Sequence, residues 1–126
     1  VEDYDVMGFE VHHKGKADSP SGTAKMIADI LLENIGRKKK LVVDKLDRKI
    51  EDDELHFASM RVGSIPGTHT VLFDSDADTI ELTHRARNRR GFALGAVMAA
   101  EWIKEKKGFF GIEDFMNELI GGNKNV

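Results

Sequence analysis

The chain has no cysteine, which excludes disulfides and thiolate metal ligands and is compatible with a cytoplasmic location. No apolar run approaches the roughly 20 residues that a membrane-spanning helix needs, and no signal-peptide pattern is present. Neither sign of charge dominates. A formal net charge of −3 gives no general argument for nucleic acid or an anionic membrane as partner. The Gly-x-Gly-x-x-Gly turn that opens a dinucleotide-binding helix does not occur either. The acids Asp74, Asp76 and Asp78 lack the central glycine and terminal glutamate of a calcium loop, and the histidines lack zinc-like spacing, so no metal is expected. The chain begins at Val1, without an initiator methionine and almost directly in a strand-like run, and is expected to be a piece of a longer polypeptide.

What is present is an ordinary globular composition. With 126 residues, 40% hydrophobic and 33% charged, one domain spanning 1–126 with a modest core is expected. Tyr4 to His13 alternates as a first strand, with Met7, Phe9 and Val11 on one face and Val6, Gly8 and Glu10 on the other. A helix follows to about Ile35, with Ile27, Ile30, Leu31 and Ile35 at helical spacing and Gly36 as its stop. Residues 37–54 form a charged loop region with Leu41 to Val43 as a candidate short strand. Leu55 to Gly63, His69 to Asp74 and Thr79 to His84 read as three further strands. Phe92 to Lys107 and Ile112 to Ile120 read as helices, and 123–126 as a loose tail. The resulting class is α+β: a mixed, mainly four-stranded sheet with helices on one face.

The chemistry concentrates between Phe9 and Ala24. Pro20 suits the first position of a helix, with Ser19 or Asp18 as its cap, which would leave the N–H groups of Ser21, Gly22 and Thr23 unpaired at the positive end of the dipole. Such an end can hold a carboxylate or phosphate. Just upstream stand His12, His13 and Lys16, groups that can carry a proton near neutrality or hold one to donate. Adjacent strand residues point to opposite faces, so the two histidines share one site only if the strand ends or twists there. A capped helix that binds nothing is the plain alternative. A hydrolase built on Ser21 fails for want of a Gly-x-Ser-x-Gly setting.

The run His12-His13-x-x-Lys16-x-Asp18-x-Pro20-Ser21-Gly22-Thr23-Ala24 closely resembles the signature of the dihydrodipicolinate reductase (4-hydroxy-tetrahydrodipicolinate reductase) family. The run Arg61-x-Gly63 with Pro66-Gly67-x-His69-x-Val71-x-Phe73 resembles that family's second half. The resemblance covers nearly the whole chain, but only the C-terminal substrate-binding and oligomerisation half of a two-domain enzyme. The Rossmann domain is absent from this chain.

The resemblance implies an NAD(P)H-dependent oxidoreductase that reduces 4-hydroxy-tetrahydrodipicolinate to tetrahydrodipicolinate in the diaminopimelate route to lysine. It assigns proton transfer to His12 and Lys16, and carboxylate binding to His13, Ser21, Gly22 and Thr23. Arg89, three residues before Phe92, corresponds to an arginine near the active cleft, so both are candidates for cofactor proximity. A segment extended from Arg85 to Arg89 would put Arg85, Arg87 and Arg89 on one side. NADH or NADPH would be bound mainly by a domain outside this chain, so the fragment alone should be inactive. The resembled enzymes are cytoplasmic homotetramers, and a second apolar sheet face would need such a cover. The rival is a non-catalytic oligomerisation module that binds a small dicarboxylate.

Overall fold

The computed structural model describes residues 3–121, so the tail expected at 123–126 lies outside the described residues. In chain order the elements are β1 (Asp5–His12), α1 (Gly22–Asn34), β2 (Lys40–Val42), β3 (Glu54–Arg61), β4 (Thr68–Asp74), β5 (Thr79–Arg85), α2 (Arg90–Ile103) and α3 (Ile112–Gly121). They fall into two compact units, one running to Arg87 and the other starting at Asn88.

In the first unit the strands make one mixed sheet in the order β2-β3-β1-β4-β5. β1 runs parallel to β3 and antiparallel to β4, while β2 is parallel to β3 and β4 antiparallel to β5. The α+β class is as expected, but the sheet has five strands rather than mainly four. The fifth is the three-residue β2, the short strand expected near Leu41 to Val43, which pairs Leu41 with Leu55.

Alternation along β1 sorts its side chains, and Val6, Gly8, Glu10 and His12 form the buried set. α1 supplies the crossover that parallel strands require and packs on β1, β2 and β3. Ala24 and Ala28, each 1% exposed, let it approach closely. Leu55, Phe57, Val6 and Val71 complete the core, with Ile27, Leu31, Leu32 and Phe73 packed around it. The other sheet face is less covered: Met7 and Met60 are exposed and Phe9, Val11 and Leu72 half-buried.

The start of α1 differs from the sequence expectation. Pro20 precedes the helix, after a cis Ser19–Pro20 peptide bond, and is not its first residue. Ser21 is the cap. Its extended backbone (φ −62°, ψ 159°) and an Oγ that accepts from the Ala24 N–H at 3.1 Å meet the geometric needs of that position better than Ser19 or Asp18. At the far end the Ile35 N–H closes on the Leu31 carbonyl at 2.8 Å, and Gly36 follows as the expected stop.

The second unit contains α2 and α3. Arg89 is the residue that precedes the first turn of α2, with helix-like rather than extended backbone (φ −90°, ψ 2°), and β5 ends at Arg85, so the segment expected to stay extended from Arg85 to Arg89 does not. The single tryptophan, Trp102, packs against Phe110 and Phe115 with ring centroids 5.5 and 5.3 Å away. Lys106 lies 4.9 Å from the indole centroid and pairs with Glu118 at 2.9 Å.

Candidate functional site

The sheet register gathers the site. Glu10 of β1 stands opposite Ser59 of β3 and His69 of β4, and His12 stands opposite Arg61. β1 ends at His12, so of the two histidines His12 belongs to the buried face while half-buried His13 begins the loop to α1. The strand pair continues past its last rung: the Val62 N–H donates to the His12 carbonyl and the Lys14 N–H to the Gly63 carbonyl, each at 3.0 Å.

At the centre lies Glu10, with no exposed surface. Arg61 grips it bidentately, Nη1 to Oε2 at 2.9 Å and Nη2 to Oε1 at 3.0 Å. The Ser21 N–H donates to Oε1 at 3.1 Å, and His12 Nδ1 contacts Oε2. Burial would raise this carboxyl's pKa, but Arg61, His12 and the Ser21 N–H together hold it at about 2. A carboxylate is costly to bury unless it is fully paired, and here it is.

The helix end differs from its simplest reading in one respect. Ser21 is 3% exposed and does not present a free N–H, because Glu10 takes it. Its Oγ already accepts from Ala24 and lies 3.0 Å from His69 Nε2. A Ser–His contact can serve acyl transfer, but this hydroxyl is sunk in the protein and engaged as a cap. Gly22 and Thr23, both exposed, have no partner for their N–H groups among the described residues. The positive end of α1 is therefore open at those two amides.

Around that end stand the other candidates. Lys16 is one-fifth exposed and pairs with Asp18 at 2.8 Å, and the Lys16 ammonium is the main reason that the Asp18 carboxyl titrates low. The Asp18 carbonyl in turn accepts from Arg61 Nη2 at 2.9 Å, so one guanidinium fastens both the loop and Glu10. The rings of His12 and His69 meet edge to face, 5.2 Å between centroids. Burial, and next the facing His12, depress the pKa of His69. His12, Lys16, His13, Ser21, Gly22 and Thr23 thus share one strand end, loop and helix start, whereas Arg89 and Phe92 belong to the second unit.

Glu10, Arg61 and His69 were not candidates from the sequence. Glu10 had a usable signal, since a charged residue on the face that also carries Val6 and Gly8 needs a partner. No local pattern names that partner, because Arg61 lies 51 residues away. Among the described residues, no group of three or more histidine or acidic side chains is arranged to hold a metal. The segment from His13 to Ser21 has one glycine, Gly15, and lacks the Gly-x-Gly-x-x-Gly turn that opens a dinucleotide-binding helix.

Fold and site together define an α+β domain in which two amides without a partner among the described residues, histidines and a lysine share one strand end, loop and helix start, an arrangement whose chemistry can hold a small anion. Residues 1–116 match the family model described as dihydrodipicolinate reductase, C-terminus, and the chain belongs to that family. It is 45% identical over 120 residues to 4-hydroxy-tetrahydrodipicolinate reductase of Christiangramia forsetii, covering 95% of this chain and 48% of the relative. Identity to the enzyme of the same name from Methanoregula boonei is 43% over 125 residues, covering 98% and 47%. The chain also resembles the solved structure of dipicolinate-bound dihydrodipicolinate reductase from Paenisporosarcina sp. TG-14. There the TM-score is 0.67 at 26% identity, over 87% of this chain and 44% of the other. The chain spans about half the length of the curated relatives it matches.

Proposed function

We propose that this chain is the substrate-binding and oligomerisation half of a cytoplasmic, NADH- or NADPH-dependent reductase. Its substrate is 4-hydroxy-tetrahydrodipicolinate, which becomes tetrahydrodipicolinate on the diaminopimelate route to lysine. The observation that carries this reading is the open start of α1, where the Gly22 and Thr23 N–H groups are unpartnered among the described residues while Ser21 beneath them is fixed by Glu10. The match to a family with a dipicolinate-bound member supports a ring dicarboxylate as the anion.

One carboxylate of the ring lies on the Gly22 and Thr23 amides with help from the Thr23 hydroxyl, and His13 holds the ligand from the other side of the loop. Lys16 and His12 stabilise negative charge as it develops on the ring and manage the balancing proton. The nicotinamide, when bound by a domain outside this chain, supplies the hydride. Arg89 and Phe92 are assigned to its neighbourhood. The sparsely covered sheet face bearing Met7, Phe9 and Met60 supports self-association, expected as a tetramer.

Calorimetric titration with pyridine-2,6-dicarboxylate, a planar mimic of the substrate, tests the site. Saturable binding is expected. The absence of heat at high ligand concentration, in this chain and in the complete reductase, would remove the carboxylate site and the function with it.

A further inference from the structure

Glu10 is exposed nowhere and makes no part of the ligand surface just described, yet it touches more of the site than any group that does. Its two oxygens offer about four lone-pair positions. Oε1 receives Arg61 Nη2 and the Ser21 N–H, and Oε2 receives Arg61 Nη1 and His12 Nδ1. The guanidinium and the peptide can only donate, and with its pKa held at about 2 the carboxyl is ionised and acceptor-only near neutrality, so the imidazole nitrogen facing it donates as well.

We propose that Glu10 is the positioning residue for His12, fixing its imidazole with a proton on Nδ1 and with Nε2 turned to the space that Gly67 leaves open. This rests on the proton-transfer role given to His12 above. A second observation marks the same nitrogen. Gly67 is buried, with a backbone φ of +156°, and a Cβ built there would stand 3.0 Å from His12 Nε2. Glycine keeps that nitrogen clear of a side chain. The charged and titratable groups facing His12 are Glu10 on its own strand, Arg61 on β3 and His69 on β4. Arg61 acts through Glu10, holding the carboxylate in plane and ionised.

The test uses the complete reductase that contains this chain. Long-range proton–nitrogen correlation of its labelled histidine rings, assigned with His12→Gln, reads the tautomer of neutral His12 without reference to activity. Protonated Nδ1 with bare Nε2 is expected, and the opposite tautomer overturns the proposal. Glu10→Gln keeps the shape but no longer dictates the tautomer. It should lower kcat by about 10²-fold or more while the Kd for pyridine-2,6-dicarboxylate changes by less than about threefold. An unchanged kcat, or parallel loss of binding and turnover, overturns it too. Should Glu10→Gln fail to fold, because Arg61 would lose its buried counter-charge, the wild-type tautomer still decides. A wild-type enzyme with the expected tautomer and no reductase activity would sink the functional reading and leave the Glu10–His12 geometry standing.

Discussion

The Phe57 ring occupies the volume in which a side chain on Gly8 would have to lie: a Cβ built on Gly8 falls 2.3 Å from Phe57 Cε2 and 2.6 Å from Cδ2. The two residues are partners across the parallel β1–β3 pair, and Phe57 is 1% exposed, so the ring has nowhere to retreat. Gly8→Ala should therefore cost about 1–3 kcal/mol, the range for overpacking a filled core. Thermal denaturation checks it, and an unaltered midpoint would mean that the sheet can open at this rung.

Replacing Lys16 tests the chemistry apart from the fold. Its pairing with Asp18 is partly exposed, and such pairs contribute about 0–1 kcal/mol. Lys16→Ala in the complete reductase should leave the melting temperature almost unmoved and lower turnover by about 10²-fold or more. Steady-state kinetics with full turnover would take Lys16 out of the mechanism.

Gly22 offers a substitution that removes one donor and little else. It is the first helical residue, where proline fits, and the preceding Ser21 already has the extended backbone that a following proline requires. No atom lies within 4 Å of a Cβ built there. Gly22→Pro should preserve helix content and weaken pyridine-2,6-dicarboxylate binding by about tenfold, roughly the loss of one hydrogen bond to a charged group. Unchanged affinity by calorimetry would show that the carboxylate does not use this amide.

Acid should unfold the chain through Glu10. Its folded pKa of about 2 lies below the ordinary 4.5, so its contribution to stability is complete above pH 4.5 and is lost as pH falls toward about 2. Glu54, held low chiefly by Arg48, acts in the same direction. His69, whose pKa is depressed by burial, begins a shallower loss below 6.5. Urea midpoints measured from pH 7 down to 2.5 should fall steadily, and less steeply in Glu10→Gln.

The local devices were legible in the sequence wherever they depend on neighbours in the chain. Alternation gave β1 its faces, the hydroxyl- and glycine-rich segment marked the start of α1, and the histidine–lysine spacing named the groups beside it. Ser21 shows where such reading stops. Capping chemistry pointed to Ser19 or Asp18, and the three-dimensional path after Pro20 puts the cap at Ser21 instead. Arg61 and His69 were out of reach for a different reason. They meet Glu10 and His12 through strand register, a relation between positions some 50 residues apart that no window along the chain contains.

The rungs that carry β1 beyond its end have a consequence for how this site meets its ligand. With the His12 carbonyl and the Lys14 amide both stitched to the start of the next turn, the histidines sit on an anvil rather than on a hinged flap. Amide exchange there should be as slow as in the sheet itself, so the two imidazoles are expected to keep their places whether or not an anion is bound.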